Sequence, residues 1–419
     1  MSQEPCVLLL GTCDTKLNEF RFMKNQLKKN GVVKVILVDV GRTPSTDPAV
    51  DISSSEVLSH LPENERQDFN SVTRGEVINI MIKAATILVR NFYDLKSIHG
   101  IVSLGGSGGT SLAAGVMRAA LPFGFPKLIV STVASGDTSS FVGESDIMMV
   151  PSIVDIAGLN SLLKIVLGNA AAAIEAMAKM NFERQSKQED GSKPRGKFRI
   201  AITMFGVTTP GANAAMEYLS AQSHEVFVFH ATGTGGRAME RLINEGYIDG
   251  VLDLTTTELA DELVGGVMSA GSDRLTAAGK KGLPQIVSVG ALDMVNFGAR
   301  SSVPEKFHRR LLVEHNPSIT LMRTTQDECG KLGEVLSRRL KENSKDSGKV
   351  EVWIPRKGIS MMAEKGGKFY DEDADKALFE ALSKALMRTG IKLQERDLTI
   401  NDPEFAIGMS KRLLEMMAV

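Results

Sequence analysis

Short apolar runs alternate with longer stretches of helical periodicity along most of this chain. CVLLL (residues 6–10) opens the pattern, and Leu17, Phe20, Met23 and Leu27 then recur on one helix face. VVKVILVDV (32–40) is a second apolar run and carries Asp39 near its end; RGEVINIMIKAATILVRNF (74–92) returns to the helical period. IHGIVSLG (98–105), KLIVST (127–132) and DIMMVPSI (146–153) complete five strand-like runs. A helix is expected over 112–120, and an alanine-rich one over 159–180 closes the unit. Strands that are apolar on both faces, in β-then-α order, predict a parallel sheet covered by helices on both sides.

The pattern then breaks. ERQSKQEDGSKPRGK (183–197) holds no apolar residue, cannot bury itself, and reads as a linker over 184–197 between a domain at 1–183 and a second at 198–419. Beyond it the alternation restarts with FRIAITMF (198–205), EVFVFHAT (225–232), GVLDLTTTE (250–258), PQIVSVGALD (284–293), SITLMRTT (318–325), VEVWIP (350–355) and IKLQERD (391–397). Seven such runs suit either a second open α/β sheet or a barrel-like closure. GTCDTK and FGVTTPG, after the first strand of each half, are only a weak echo of one another.

Composition narrows the class. A length of 419 residues exceeds what one hydrophobic core usually organises, which supports two domains. The net charge of −1 supplies no basic field for nucleic acid. No continuous apolar run approaches the roughly 18 residues of a membrane helix, so no membrane role is expected. Cys6, Cys13 and Cys329 form an odd, widely spaced trio, which fits reduced thiols and a cytoplasmic location better than a disulfide framework.

GGSGGTS (105–111) stands where a strand ends and a helix begins. Glycine loses more backbone freedom on folding than any other residue, so Gly105, Gly106, Gly108 and Gly109 are a costly choice. At a helix N-terminus they expose N–H groups to an anion, with Ser107, Thr110 and Ser111 as further donors. The loop lacks the lysine of a Walker A motif and is not GxGxxG. A tight turn with a threonine cap is the blander alternative. GTCDTK brings Gly11, Thr12, Asp14, Thr15 and Lys16 to the end of the first strand, the lysine as a point charge for phosphate and Asp14 as a Mg²⁺ ligand or a helix cap. STVASGDTSS (131–140) adds Thr132, Ser135, Gly136 and Asp137. Asp39 lies roughly where dinucleotide-binding folds put a ribose-binding acid, or is a solvated strand end.

GTCDTK, GGSGGTS, STVASG, TMFGVTTP, FHATGTGGRAME, LDLTTTE and SVGALDMVNFG together resemble the Tm-one-like ATP-binding domain family over essentially the whole chain. The resemblance implies a Rossmann-like N-terminal half and a C-terminal half like a TIM barrel, with ATP and Mg²⁺ as ligands and a homodimer as the assembly. It assigns ATP to the loops at 11–16, 105–111 and 132–137, and it supplies no reaction.

The second half gathers polar groups of its own. HATGTGGR places His230, Gly235, Gly236 and Arg237 at a strand-to-helix turn, a second candidate anion site, with Asp253 and Glu258 after the next strand. His230 is a candidate general base or metal ligand, or a hydrogen-bonded core histidine. Arg237 either holds a ligand or is paired inside the protein. Cys13, at a helix start, is a candidate nucleophile or a small buried residue. Two function classes follow: an ATP-using enzyme acting on a small acidic substrate in the second half, or a nucleotide-gated binding protein whose ATP governs dimerisation or a protein partner.

Overall fold

In CVLLL the side chains alternate between two cores. Leu8 and Leu10 pack with Met81, Leu88 and Met117, whereas Val7 and Leu9 pack with Phe20, Met23, Leu163 and Ile174. A strand buried on both faces needs helices above and below it, and the computed structural model has that arrangement. It describes residues 4–67, 69, 71–187 and 196–418. The chain falls into two compact units, 1–192 and 193–419, each with its own sheet.

The first unit contains β1 (Cys6–Gly11), β2 (Lys34–Asp39), β3 (Gly100–Gly105), β4 (Lys127–Ser131) and β5 (Met148–Pro151), all parallel and ordered β2-β1-β3-β4-β5. This is one of the two common doubly wound orders. Because β2 and β3 flank β1 on opposite sides, the loops leaving β1 and β3 diverge and open a crevice at the carboxyl edge. Helices Arg74–Asp94 and Ser107–Ala120 contribute to one core; Cys13–Lys28 and Ser161–Ser186 contribute to the other.

Asn160 caps the Ser161–Ser186 helix by accepting from the Leu163 N–H at 2.9 Å. By length and composition this helix is apolar enough to cross a membrane, which a search for unbroken apolar runs does not register, since Lys164 and Asn169 interrupt it. Here Leu163, Leu167, Ile174 and Ala178 are buried in the core beside the sheet. The expected linker lies mostly outside the described residues, and its first positions continue this helix as far as Ser186.

The second unit contains β6 (Arg199–Met204), β7 (Glu225–His230), β8 (Gly250–Thr255), β9 (Gln285–Gly290), β10 (Met294–Phe297), β11 (Leu312–Asn316), β12 (Ile319–Arg323), β13 (Val350–Pro355) and β14 (Lys392–Arg396). Six of them form a parallel sheet ordered β14-β13-β9-β8-β6-β7. Of the two arrangements left open for this half, the open sheet is the one formed. β7 and β14 are outer strands that do not pair, so the barrel closure implied by the resemblance is not made. The SITLMRTT run also departs from expectation, because it becomes β12 of a separate antiparallel sheet ordered β10-β12-β11. The cause is connection length: only Pro317 and Ser318 separate β11 from β12, which allows an antiparallel hairpin, whereas a parallel crossover needs a dozen or more residues. The α/β class with parallel sheets in both halves stands as expected.

Candidate functional site

The crevice between the β1 and β3 loops is a cleft of about 480 Å³. Thr12, Asp14, Thr15 and Lys16 line one side, and Gly106, Ser107, Gly108 and Gly109 the other. Arg42 and Arg74 stand at its rim, and Val40, Val77, Ile78 and Leu112 form an apolar wall. Three helices, Cys13–Lys28, Arg74–Asp94 and Ser107–Ala120, present their N-terminal turns to it. Lys16, Arg42 and Arg74 face a single acid, Asp14. Positive helix ends and excess cations make an anion the matching ligand.

The glycines separate into two kinds. A Cβ on Gly11 would overlap the Phe20 ring, and one on Gly105 would press on Gly109 Cα at 3.3 Å, so both follow from packing. Gly108 and Gly109 lie inside a helix, where glycine is destabilising by roughly 0.5–1 kcal/mol relative to alanine. A Cβ on Gly109 would make only an ordinary 3.8 Å contact with the Leu104 carbonyl, and one on Gly108 would meet only mobile atoms, the Arg74 Nη2 at 3.0 Å first. Packing gives these two no reason to be glycine, and without a side chain they leave the backbone open to the cleft.

Several expected ligand groups have partners within the protein. Asp39 is fully buried and accepts from the N–H groups of Cys13 (3.0 Å), Gly41 (2.8 Å) and Ser45 (3.0 Å), so it ties the β1 and β2 loops together. Thr110 is also buried and shares a 2.7 Å hydrogen bond with Ser131; Ser111 donates to the Ser107 carbonyl at 2.9 Å. Lys16 lies in the cleft lining with its ammonium on the Ile156 carbonyl. Asp14 accepts through Oδ2 from the N–H groups of Arg42 (2.9 Å) and Thr43 (3.3 Å).

The third loop meets the glycine loop through the Ser131–Thr110 bond, the Thr132 N–H on the Gly105 carbonyl at 3.2 Å, and Thr132 Oγ1 beside Gly106. The Ser139 side chain and, at 2.9 Å, its N–H hydrogen-bond the Asp137 carboxyl and hold it below the usual range, and Gly136 donates to the Val133 carbonyl. Ser135 is in the same turn, exposed, and outside the cleft lining. Cys13 is buried, and burial pushes its thiol well above the ordinary value, with Asp39 and Asp14 adding to the shift. A protonated, enclosed thiol is a poor nucleophile.

In the second unit the HATGTGGR turn is filled from within. Glu258 Oε1 accepts from the N–H groups of Gly233 (2.7 Å) and Gly236 (3.0 Å), at the start of helix Thr234–Asn244. Its Oε2 accepts from Arg274 Nε at 2.6 Å. Arg274 is fully buried and forks onto Asp253, with Nη1–Oδ2 at 2.5 Å and Nη2–Oδ1 at 2.6 Å, while Glu240 stands 3.5 Å away. Burial opposes the guanidinium's charge, but Asp253, Glu258 and Glu240 outweigh it and hold its pKa well above normal.

Gly235 and Gly236 are packing glycines, since a Cβ would strike the His230 carbonyl or the Glu258 carboxylate. Arg237 donates to the Ser269 carbonyl at 2.9 Å. His230 is exposed at the end of β7 and stacks on Phe205 at 5.5 Å. His230, Arg237, Asp253 and Glu258 therefore do not converge on one open site. Among the described residues no group of three or more His, Cys, Asp or Glu is placed to hold a metal ion.

Three arginines are not singled out by the sequence patterns: Arg42 lies just beyond the run that carries Asp39, Arg74 opens a helical run, and Arg274 falls in no motif. The sequence marks Arg74 alone: a cation at the first x of a Thr-x-x-Glu capping box, Thr73 to Glu76, sits on the unfavourable end of its own helix.

Comparison with known proteins places both halves together. Residues 5–183 match the family described as the Uncharacterised protein family (UPF0261) N-terminal domain, and residues 197–417 match its C-terminal domain. A UPF0261 protein of Clostridium tetani is 46% identical over 98% of this chain and 98% of its own length. Another, from Mesorhizobium japonicum, is 44% identical over 96% of each chain. The ToMV resistance protein Tm-1(GCR237) of Solanum lycopersicum is 42% identical over 99% of this chain, which spans 56% of the tomato protein.

Proposed function

The chain belongs to the UPF0261 family, and from that premise we propose that its first unit binds a nucleotide through its phosphates, with Mg-ATP as the ligand. The observation that carries this reading is the cleft at the β1/β3 crevice, where two glycines without a packing role meet three cations and three helix N-termini. The N–H groups of Ser107, Gly108 and Gly109 and the rim arginines suit the phosphates, and Val40, Val77, Ile78 and Leu112 suit an apolar base. Asp14 keeps Oδ1 free of hydrogen bonds among the described residues and suits a Mg²⁺ that takes its other ligands from phosphate and water. Bound Mg²⁺ would neutralise phosphate charge; the chain's own residues orient the phosphate chain and exclude water along the apolar wall.

Of the two function classes, the nucleotide-gated binding protein is favoured by the second unit. Asp253 and Glu258 are enclosed with Arg274, so the acids expected to act on a small acidic substrate are not open to one. In this reading ATP governs a contact of the cytoplasmic chain with a second copy, as a homodimer, or with another protein.

Thermal unfolding tests the ligand assignment. At a hundred times the dissociation constant, Mg-ATP adds about 2.7 kcal/mol to the unit it binds. For a unit of this size that is a rise of about 5–11 °C. Gly108→Val fills the cleft and abolishes the rise without unfolding the second unit. An undiminished rise in the folded variant overturns the assignment.

A further inference from the structure

The cleft cations differ in one respect. Arg42 gives its guanidinium to the Phe69 and Val72 carbonyls, and Lys16 its ammonium to that of Ile156. The Arg74 guanidinium has no hydrogen bond or ion pair among the described residues. Glu76, two residues along the same helix, is occupied in a capping box, accepting from the Thr73 N–H and hydroxyl at 2.7 Å each. Arg74 is also the first residue of its helix, where the backbone dipole opposes a cation. Its Nη2 lies 3.0 Å from where a Cβ on Gly108 would stand, beside the uncapped N-terminus of the Ser107–Ala120 helix. Two positive groups are thus brought together with no acid bonded to either among the described residues.

The second unit shows what completes such a pair. There the glycine N–H groups of Gly233 and Gly236 and the guanidinium of Arg274 grip one carboxylate between them, that of Glu258. In the first unit the cleft's one acid, Asp14, accepts instead from the N–H groups of Arg42 and Thr43, and among the described residues no carboxylate bonds to Arg74 or to the N–H groups of Ser107, Gly108 and Gly109.

We propose that Arg74 and the N–H groups of Ser107, Gly108 and Gly109 form a two-sided seat for one phosphoryl group, with Arg74 as its binding residue. This rests on the nucleotide reading above and sharpens it. The ligand is held chiefly by its phosphates, so the seat takes inorganic pyrophosphate as well as ATP, and adenosine only weakly.

Calorimetric titration of the full chain with ATP, pyrophosphate and adenosine, each with Mg²⁺, tests this in the wild type, Arg74→Ala and Arg74→Lys. Arg74 is exposed, so both variants are expected to keep the wild-type circular dichroism and melting temperature. Arg74→Ala should weaken ATP and pyrophosphate by a common factor of about 10 to 150, the range for a charge-assisted hydrogen bond, and leave adenosine unchanged. Arg74→Lys should recover part of the loss, because an ammonium supplies charge without the bidentate fork. Equal ATP affinity in the wild type and Arg74→Ala overturns the seat and leaves the nucleotide reading standing. Wild-type binding of pyrophosphate but not ATP supports the seat and overturns the nucleotide. No binding of either phosphate compound overturns both.

Discussion

Replacing Arg274 by methionine removes the cation that bridges a buried group of three carboxylates, Asp253, Glu258 and Glu240. Its guanidinium makes three contacts of 2.5–2.6 Å to Asp253 and Glu258 and has no exposed surface. Breaking a buried pair by deleting one partner costs about 3–5 kcal/mol, because the remaining charge stays buried without compensation. Two close pairs share this arginine, so the low end is a floor. In a unit of this size the melting temperature should fall by about 6–20 °C. The single tryptophan, Trp353, is buried in β13 of the second unit and packs edge-on against Phe405, so its fluorescence reports that unit alone. Lowering the pH should restore part of the loss by protonating the orphaned carboxyls, of which Glu240 is already raised by burial despite Arg274. A loss below about 1 kcal/mol would mean that Asp253 and Glu258 are not committed to Arg274, since typical surface substitutions fall in that range. The case for an enzyme site in the second unit would then return.

Burial raises Asp261 and Asp375 to about 7, with the Asn296 and Arg323 contacts only partly opposing it. Folded-state values above the unfolded ones mean that this stability is present near pH 4 and is lost as pH rises through about 7. The Trp353 unfolding midpoint should therefore fall from pH 5 to pH 8, and Asp261→Asn should flatten that slope; an unchanged slope in Asp261→Asn contradicts the assignment. Burial lifts the Cys6 thiol to about 11 and raises Cys13 and Cys329 too, so a thiol reagent at pH 8 should label none rapidly in the folded chain and all three after denaturation. Gly109→Ala should raise ligand-free stability by roughly 0.5–1 kcal/mol while weakening Mg-ATP. Gly236→Ala should destabilise, because its Cβ overlaps the Glu258 carboxylate; similar effects at the two glycines would refute the distinction between cleft and packing positions.

Much of the first unit is legible in the sequence because its strands are short apolar runs that end at loops rich in glycine and hydroxyl groups. CVLLL and IHGIVSL flank each other in the sheet, and GTCDTK and GGSGG meet across one cleft as their positions at strand ends imply. What is not legible is which way a polar side chain turns once it reaches that edge. Asp39 and Thr110 resemble ligand groups in sequence, yet each finds a buried partner 26 or 21 positions away. Glu258 and Arg274 are a closer case, 16 residues apart, but nothing in GSDRLTAAG marks its arginine as the counter-ion of two distant acids. The open second sheet was likewise undetermined by periodicity, because barrel strands and open-sheet strands are buried alike. The unpaired outer strands β7 and β14 carry that decision, and they are visible only once the strand pairing is known.

The central claim is that a nucleotide occupies the cleft of the first unit by its phosphates. A crystal structure of the full chain grown with Mg²⁺ and a non-hydrolysable ATP analogue tests this most directly. The account predicts phosphate density against the N–H groups of Ser107, Gly108 and Gly109 and the Arg74 guanidinium, with Glu258 still seated at Gly233 and Gly236. Nucleotide bound elsewhere, or a first-unit cleft empty at saturating ligand, would contradict it.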